Sequence, residues 1–153
     1  LKNHNNIKIF AENIKSSIEL SERLNVNLSL ETDLDPEHFL KLINILNSSK
    51  ITVNYDTGNS AALGHNPEEE LLTYGNYITD VHIKDRIYKG GSVILGKGAT
   101  NFDVIFKILS QIKYKGPFIM QAFRDNQGVN IFKKQLDWIK PQINFWANRK
   151  QNS

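Results

Sequence analysis

The sequence predicts an α/β fold built on a parallel β-sheet. Three residues, Glu31, Asp56 and His82, each stand at the C-terminal end of a short apolar segment. They recur about every 25 residues, close to the roughly 30 residues that one strand-helix unit takes. Segments with helical spacing of apolar residues lie between them. Since α/β enzymes build their sites at the carboxyl ends of parallel strands, the recurrence predicts both the fold class and the place of a site.

Residues 1–50 predict a helix, a strand and a second helix, in that order. Apolar residues recur at roughly helical intervals over residues 9–24, which indicates a helix that covers a sheet. Residues 26–30 alternate between apolar and polar side chains, as a half-buried strand does. The second helix begins at Asp35, where an acidic cap precedes Pro36 in the first turn, and it ends at 47–49.

The middle of the chain predicts two further strands with a short helix between them. Residues 51–55 form the second strand, and a loop that contains Gly64 follows it. A helix begins at Pro67, because the three glutamates that follow the proline suit the positive end of a helix dipole. Gly75 closes this helix, and residues 78–83 form the third strand.

A long glycine-rich loop over residues 84–98 leads to the last elements. The Thr-Asn-Phe-Asp sequence at 100–103 resembles a capping box that opens the next helix. The fourth strand is predicted at 118–122. A closing helix is predicted at 129–139, and Pro141, just beyond this range, interrupts or kinks it.

The alternation of strands and helices defines a single α/β domain over residues 1–153. A closed barrel of strand-helix units needs eight strands and typically about 250 residues, so four strands amount to half of one. We therefore expect a TIM-barrel-like half barrel with a parallel sheet. Because the sequence begins with Leu1 rather than methionine, we expect either a truncated larger protein or the remnant of a degraded gene.

The composition narrows the classes of partner and ligand. The formal net charge is +3, and acidic residues are interspersed with basic ones, so a nucleic-acid partner is not expected. The absence of cysteine means that any metal must bind carboxylate, imidazole or amide groups. No apolar segment approaches the roughly 18 residues of a membrane span, and no signal-peptide pattern opens the chain. We therefore expect a cytoplasmic protein with no membrane partner.

Five segments of the chain carry a resemblance to a known family. They are LSLETD, VNYDTGN, YGNYITDVHIKDR, GGSVILGKGATNF and YKGPFIMQAFRD. Together they resemble the C-terminal half of the xylose-isomerase-like TIM barrels, in the sugar-phosphate isomerase/epimerase branch. The resemblance runs from Phe10 to the last predicted helix, and it implies the four C-terminal βα units of the barrel.

The resemblance also implies a metal site. In that family a Glu, an Asp, a His and a second Glu hold a divalent cation at the strand ends, and the first three correspond to Glu31, Asp56 and His82. The fourth position departs from the family, because the last strand offers Gln121. Its amide oxygen can still bind a hard cation, but it cannot carry a proton. This set suits Mn²⁺, Mg²⁺ or Co²⁺, and Zn²⁺ stays open.

The implied reaction is the isomerisation or epimerisation of a sugar or sugar phosphate, with proton transfer next to a carbonyl through a metal-stabilised enediolate. We expect Glu31 to be the catalytic acid/base. Epimerisation usually needs two groups on opposite faces of the carbon, whereas aldose-ketose isomerisation can run with one base. Because Gln121 replaces the second acid, one-base isomerase chemistry is easier to support.

Four more residues are candidates for substrate binding. Asn59 stands just after the second predicted strand, where the family often places a His or Asn that contacts substrate; the alternative is a turn residue. Lys84 and Arg86 follow the third strand and could bind a sugar hydroxyl or a phosphate. Arg124, after the fourth strand, is a further candidate for phosphate. Solvated surface positions are the alternative for these cations.

Each of the three strand-end residues also has an ordinary structural interpretation. Glu31 could cap the following segment, Asp56 could form an Asx turn, and His82 could be a hydrogen-bonded core group. Their recurrence at matched strand ends, together with the family resemblance, favours the metal site.

Three classes of function stay open. The first is the metal-dependent isomerase or epimerase, and the second is a non-catalytic half-barrel remnant that folds and oligomerises without turnover. The third is a metal hydrolase of the apurinic-site endonuclease type, a class that holds several metals with several His ligands and binds DNA through a basic face. It ranks last because the chain has four histidines in all and little positive charge. An open half barrel has two unpaired strand edges, so we expect a homo-oligomer or a partner that supplies the missing N-terminal half.

Overall fold

The structure is a computed structural model that describes residues 4–148. Within them, four strands form one parallel sheet in the order β1-β2-β3-β4. The strands are β1 (Leu28–Leu30), β2 (Ile51–Asp56), β3 (Ile78–Ile83) and β4 (Phe118–Met120). The helices are α1 (His4–Asn13), α2 (Lys15–Leu24), α3 (Pro36–Leu46), α4 (Thr57–Leu63), α5 (Pro67–Tyr74), α6 (Phe102–Gln111) and α7 (Val129–Asn148). The predicted α/β class is confirmed, while the predicted domain 1–153 extends past the described residues at both ends.

The sheet has one apolar and one polar face. Val53, Tyr55, Val81 and Ile83 are at most 2% exposed and belong to the core that the helices cover. Because side chains alternate along a strand, the intervening residues share the opposite face. They are Ser29, Thr52, Asn54, Asp56, Asp80 and His82. The polar face is therefore the place to look for a site.

The register between β2 and β3 is irregular at one position. Thr79 has no counterpart in β2, because the pairing shifts by one residue there. Beyond the shift, Asp56 pairs with His82. Regular pairing through Thr79 would set Asp56 beside Val81, whose side chain is fully buried. The irregularity thus decides which residue of β3 accompanies Asp56.

Two helices begin as the sequence predicts. The carboxylate of Asp35 accepts the N–H of His38 at 3.0 Å, with Pro36 in the first turn of α3. At the start of α5, the side chain of Asn66 accepts the N–H of Glu68 at 3.0 Å. Such caps satisfy N–H groups that have no partner inside the helix.

The helix predicted over residues 9–24 is two helices in the structure. Ile14 departs from helical dihedral angles, with φ −95° and ψ 1°, so α1 and α2 meet at a bend. Phe10 and Ile14 pack against the core, and Ile18 is buried beyond the bend. The bend therefore keeps the apolar side of both helices in contact with the core.

Two strands are shorter than predicted. Val26 still donates its N–H to the carbonyl of Ser21 in α2, so β1 starts at Leu28 and the prediction of 26–30 was too long. The prediction of 118–122 for β4 was also too long. After Met120 the chain makes one more backbone hydrogen bond to β3 and then leaves the sheet.

The loop predicted directly after the second strand is wrong, because α4 forms there. Its sequence contains glycine, asparagine and serine, which are weak helix formers. Asp56 compensates by accepting the N–H of Asn59 at 2.7 Å, and Gly64 ends the helix in the left-handed region with φ 79°. The two caps outweigh the weak propensity of the seven residues between them.

The capping box predicted at 100–103 is also wrong in detail. Asn101 caps α6, since its side chain accepts the N–H of Val104 at 3.2 Å. The hydroxyl of Thr100 instead donates to backbone carbonyls of Thr57 and Lys84, both at 3.4 Å. Thr100 thus ties the loop to the ends of β2 and β3.

The last helix does not end at 139, and it continues through Pro141 to Asn148. A proline inside a helix removes one hydrogen bond and costs about 3 kcal/mol. Ile139 is fully buried, and Ile143 and Trp146 pack against the core at helical spacing. Burial of this face therefore carries the helix past the proline. None of the helices in residues 4–148 has the length and apolar character needed to cross a membrane.

Candidate metal centre

Glu31, Asp56 and His82 meet at the carboxyl ends of the first three strands. Each offers one ligand atom, and these atoms lie within 4.8 Å of one another. Nδ1 of His82 is 3.9 Å from Oε2 of Glu31 and 4.0 Å from Oδ2 of Asp56. The juxtaposition that the sequence predicted for these three residues is therefore present, on the polar face of the sheet.

Asp56 is a buried carboxylate with one oxygen in use. Oδ1 caps α4 through the N–H of Asn59, whereas Oδ2 is buried and has no hydrogen-bond partner. Burial raises the pKa of the Asp56 carboxyl, while the N–H of Asn59 and the nearby ammonium of Lys84 act in the opposite direction. The helix-cap role and a ligand role are compatible, because each uses a different oxygen.

Asn54, which the sequence analysis did not select, connects two members of the cluster. Its Nδ2 donates to Oε2 of Glu31 at 2.8 Å and lies 3.1 Å from Nδ1 of His82. The signal that could have found Asn54 is the alternation of β2, since residues 54 and 56 share a face.

A second amide holds the other oxygen of Glu31. Asn59, on the first turn of α4, donates from Nδ2 to Oε1 of Glu31 at 2.5 Å. Arg86 donates from Nη1 to Oδ1 of Asn59 at 2.8 Å. Asn59 is therefore a helical residue that faces the cluster, and the turn alternative is wrong. A cavity of about 420 Å³ adjoins this group. It is lined by Phe10, Leu30, Glu31, Thr32, Asp33, Asn59, Leu63 and Arg86.

Lys84 links the ends of β3 and β4. Its Nζ donates to Oε1 of Gln121 at 2.8 Å and lies 3.6 Å from Oδ2 of Asp56. Gln121 is thus next to the cluster through Lys84. Arg124 is exposed, and no contact within the described residues joins it to the cluster.

A fully buried carboxylate that sequence reasoning missed organises the loop after β3. Asp85 is 0% exposed and accepts the backbone N–H groups of Gly96 at 2.9 Å, Gly98 at 2.8 Å and Thr100 at 3.1 Å. Because these amides already bind a carboxylate, they are not available as an anion-binding loop. The sequence gives little warning of this role, since Asp85 looks like one more polar residue after the strand.

Behind α4, a second buried carboxylate ties the helix to α5. Glu70 is 3% exposed and accepts hydrogen bonds from Tyr55 at 3.1 Å, from Tyr74 at 2.8 Å and from Ser60. Nδ1 of His65, a half-buried loop residue, lies 3.3 Å from the same carboxylate. Burial raises the pKa of both tyrosines, and the charge of Glu70 adds to the effect.

The donor set fits a divalent cation. Two carboxylates, an imidazole nitrogen and a neighbouring amide oxygen are ligands of Mn²⁺, Mg²⁺ or Co²⁺, and also of Zn²⁺. The buried oxygen of Asp56 without a hydrogen-bond partner is the kind of atom that a cation would satisfy.

The fold and this cluster define a half TIM barrel with a candidate metal centre at the carboxyl ends of its strands. The chain belongs to the xylose isomerase-like TIM barrel family, whose model matches residues 3–142. The resemblance seen in the sequence is therefore confirmed.

Individual relatives agree with this assignment. SgbU of Haemophilus influenzae is 29% identical over 151 residues, which are 90% of this chain and 53% of that protein. The L-ribulose-5-phosphate 3-epimerase UlaE of Salmonella paratyphi A is 26% identical over 145 residues, 88% of this chain and 50% of UlaE. The chain thus spans about half the length of the curated relatives it matches.

A solved structure shows the same fold. The xylose isomerase domain protein of Planctomyces limnophilus superposes with a TM-score of 0.83 at 22% identity, over 92% of this chain and 55% of that one. The IolI protein with a binding zinc atom has a TM-score of 0.74 at 19% identity, over 92% of this chain and 57% of IolI. The predicted half barrel is confirmed.

Proposed function

We propose that this chain carries the metal-binding half of a sugar or sugar-phosphate isomerase or epimerase. The observation that supports it most is the cluster of Glu31, Asp56 and His82, with ligand atoms within 4.8 Å and a buried oxygen on Asp56 that has no hydrogen-bond partner. The family and the epimerase named UlaE support the same reaction class.

In the proposed site Glu31, Asp56 and His82 bind the cation, and Gln121 contributes its amide oxygen once Lys84 releases it. Mn²⁺, Mg²⁺ and Co²⁺ suit this set best, and Zn²⁺ is the alternative. When bound, a divalent cation offsets the negative charge that develops on the substrate oxygens during proton removal. The residues of the chain then have to orient the sugar and to move the proton.

Glu31 is the proposed acid/base. Its carboxylate borders the cavity of about 420 Å³ and is held by two amide donors, so it faces a bound sugar in a fixed orientation. It removes the proton from the carbon next to the carbonyl to leave an enediolate and returns it, on the same face, to the former carbonyl carbon, while the hydroxyl proton passes from one oxygen of the enediolate to the other. Gln121 cannot carry a proton, and this favours one-base isomerisation over two-base epimerisation. Lys84 is a proposed contact for substrate oxygens, and Arg124 for a phosphate.

The first experiment measures metal binding without relying on turnover. The metal-free chain is titrated with Mn²⁺, Mg²⁺, Co²⁺ and Zn²⁺ while thermal unfolding is followed. At a free concentration 100 times Kd, a bound cation adds about 2.7 kcal/mol to the free energy of unfolding. Asp56→Asn should abolish this gain, and Glu37→Gln, which changes an exposed glutamate on α3, should leave it intact. No stabilisation by any of the four ions would contradict the proposal.

The second experiment separates an enzyme from a non-catalytic remnant. The Mn²⁺-loaded chain is incubated with L-ribulose 5-phosphate in D₂O, and NMR follows deuterium incorporation next to the carbonyl. Exchange that is lost in Glu31→Gln supports the proposed chemistry. Metal binding without exchange by this and other pentulose phosphates would favour the remnant.

The second part of the proposal concerns what covers the outer edges of β1 and β4. Within residues 4–148 these strands each pair on one side only. A second copy of this chain, or an N-terminal half of the barrel, covers them and supplies the rest of the sugar-binding cavity. Light scattering at micromolar concentration tests this for the chain alone, where a monodisperse monomer would contradict the homo-oligomer.

A further inference from the structure

Arg86 is fixed by acceptors within the protein. Its Nε and Nη2 both donate to the carbonyl of Gly90, at 3.0 and 2.6 Å, and Nη1 donates to Oδ1 of Asn59 at 2.8 Å. Gly90 belongs to the same loop as Arg86, so the guanidinium is held by its own loop on one side and by α4 on the other. A planar fork of this kind binds two acceptors in a defined geometry, which a lysine cannot do.

This contact determines which way the Asn59 amide faces. A guanidinium has no acceptor, so the group beside Nη1 must be the oxygen of Asn59 and not its nitrogen. The Nδ2 group is thereby directed to Oε1 of Glu31, 2.5 Å away. Asn54 holds the other oxygen of Glu31 at 2.8 Å.

The cavity itself argues against a phosphate on Arg86. Two carboxylates, Glu31 and Asp33, line it together with Arg86, and they disfavour a dianion. More than a third of the Glu31 side chain is exposed to solvent, so packing does not fix its rotatable bonds. Hydrogen bonds therefore have to supply the orientation that packing does not.

We infer that Arg86 is a positioning residue that acts on Glu31 through Asn59, and that it does not bind the phosphate of a substrate. The inference rests on the proposed function, in which Glu31 is both a metal ligand and the acid/base. Partners that orient ligands typically contribute 10-fold to 100-fold in metal affinity or activity.

The test is a double-mutant cycle on Mn²⁺ affinity, measured by electron paramagnetic resonance. Arg86→Met and Asn59→Leu should each weaken binding by about tenfold, and the double variant should bind no more weakly than either single variant. Arg23→Met, which removes an exposed guanidinium from α2, is the matched control and should change nothing. Additive losses would overturn the inference. Unchanged Mn²⁺ affinity in Arg86→Met with lost binding of inorganic phosphate would do so as well.

A second readout is independent of metal. The side-chain amide resonances of Asn59 in a ¹⁵N spectrum of the metal-free protein should move in Arg86→Met and stay in place in Arg23→Met. Arg86→Lys keeps the charge and should not restore the wild-type resonances, because it cannot hold Gly90 and Asn59 together. If the wild-type chain binds none of the four cations, the proposed function fails, and these spectra still decide the role of Arg86. Asn59 resonances that stay unchanged in Arg86→Met would overturn the inference that Arg86 positions Glu31 through Asn59.

Discussion

The ammonium of Lys84 donates a hydrogen bond of 2.8 Å to the amide oxygen of Gln121 and lies 3.6 Å from Oδ2 of Asp56. A positive charge therefore already stands between the buried acid and the fourth position of the proposed metal site. In the metal-free protein it partly compensates Asp56, and a divalent cation has to compete with it for the same oxygens.

Gln121→Glu should tighten Mn²⁺ binding by about tenfold, because ligand charge is a main determinant of affinity for hard cations. Isothermal titration calorimetry measures the change. Gln121→Met is the control, since it removes the oxygen without adding charge and should not tighten binding. If the proposed chemistry holds, the glutamate also supplies a second proton-carrying group, and epimerisation should become detectable. Identical Mn²⁺ affinity in the wild type and Gln121→Glu would contradict the assignment of this position.

Asp56 should make the metal-free protein less stable as the pH rises. Burial raises its folded pKa above the ordinary value of 3.8, so the folded state binds more protons than the unfolded state in that range. The stabilising contribution is complete below pH 3.8 and is lost as the pH rises through the folded pKa. Urea unfolding of the wild type and Asp56→Asn in the presence of a chelator isolates this contribution. Parallel pH profiles for the two proteins would contradict it, and added Mn²⁺ should reverse the loss in the wild type alone.

Gly98→Ala should destabilise the protein by about 1–3 kcal/mol, the range for forcing extra volume into a packed site. An added Cβ would lie 2.2 Å from Oδ1 of Asp85 and 2.5 Å from the carbonyl oxygen of Arg86. Gly91→Ala is a matched control in the same loop, because nothing lies within 4 Å of a Cβ there. Urea denaturation compares the two variants, and equal stabilities would show that Asp85 does not hold the loop tightly.

Glu70→Gln should cost about 1–3 kcal/mol, because the NH₂ group that replaces one carboxylate oxygen cannot accept the hydrogen bonds made there, which come from Tyr55 and Ser60 at Oε2 or from Tyr74 at Oε1. Glu69→Gln, an exposed neighbour on α5, should be close to neutral. The hydrogen bonds around Glu70 also anchor α4 through Ser60. Mn²⁺ affinity should therefore fall in Glu70→Gln, because Asn59 on the same helix is held less firmly. An unchanged free energy of unfolding would mean that the buried network contributes no net stability.

Much of this fold follows from local patterns in the chain. Short apolar segments located all four strands, the first of them by its alternation, because these signals depend on neighbours in sequence. The cap at Asp35 and the Pro67 in a first turn marked two helix starts for the same reason. The loop predicted at α4 and the helix end predicted at 139 failed for a common reason. Capping by a strand-end carboxylate in the first case and burial of Ile139 in the second depend on tertiary packing, which outweighs propensity.

In the candidate site too, local sequence signals could be predicted and tertiary contacts could not. Glu31, Asp56 and His82 could be selected because strand ends recur at a fixed spacing, and side-chain type alone suggested ligands. Asn54 and Asp85 could not, since their importance comes from contacts across strands and across a folded loop. The roles of all these residues in metal binding and catalysis stay predictions until the titrations are made.

The extra residue at Thr79 has a consequence for how this gene can change. Loss of that one codon would leave every proposed ligand encoded and would make the pairing of β2 with β3 continuous from Val53–Ile78 to Asp56–His82. The imidazole would therefore keep its place beside Asp56. Gain of one further codon between Thr79 and Asp80 would instead bring Val81 beside Asp56 and turn the imidazole towards the apolar face of the sheet. A frame-preserving insertion of three nucleotides could therefore erase the centre at a point where a deletion of the same size would spare it.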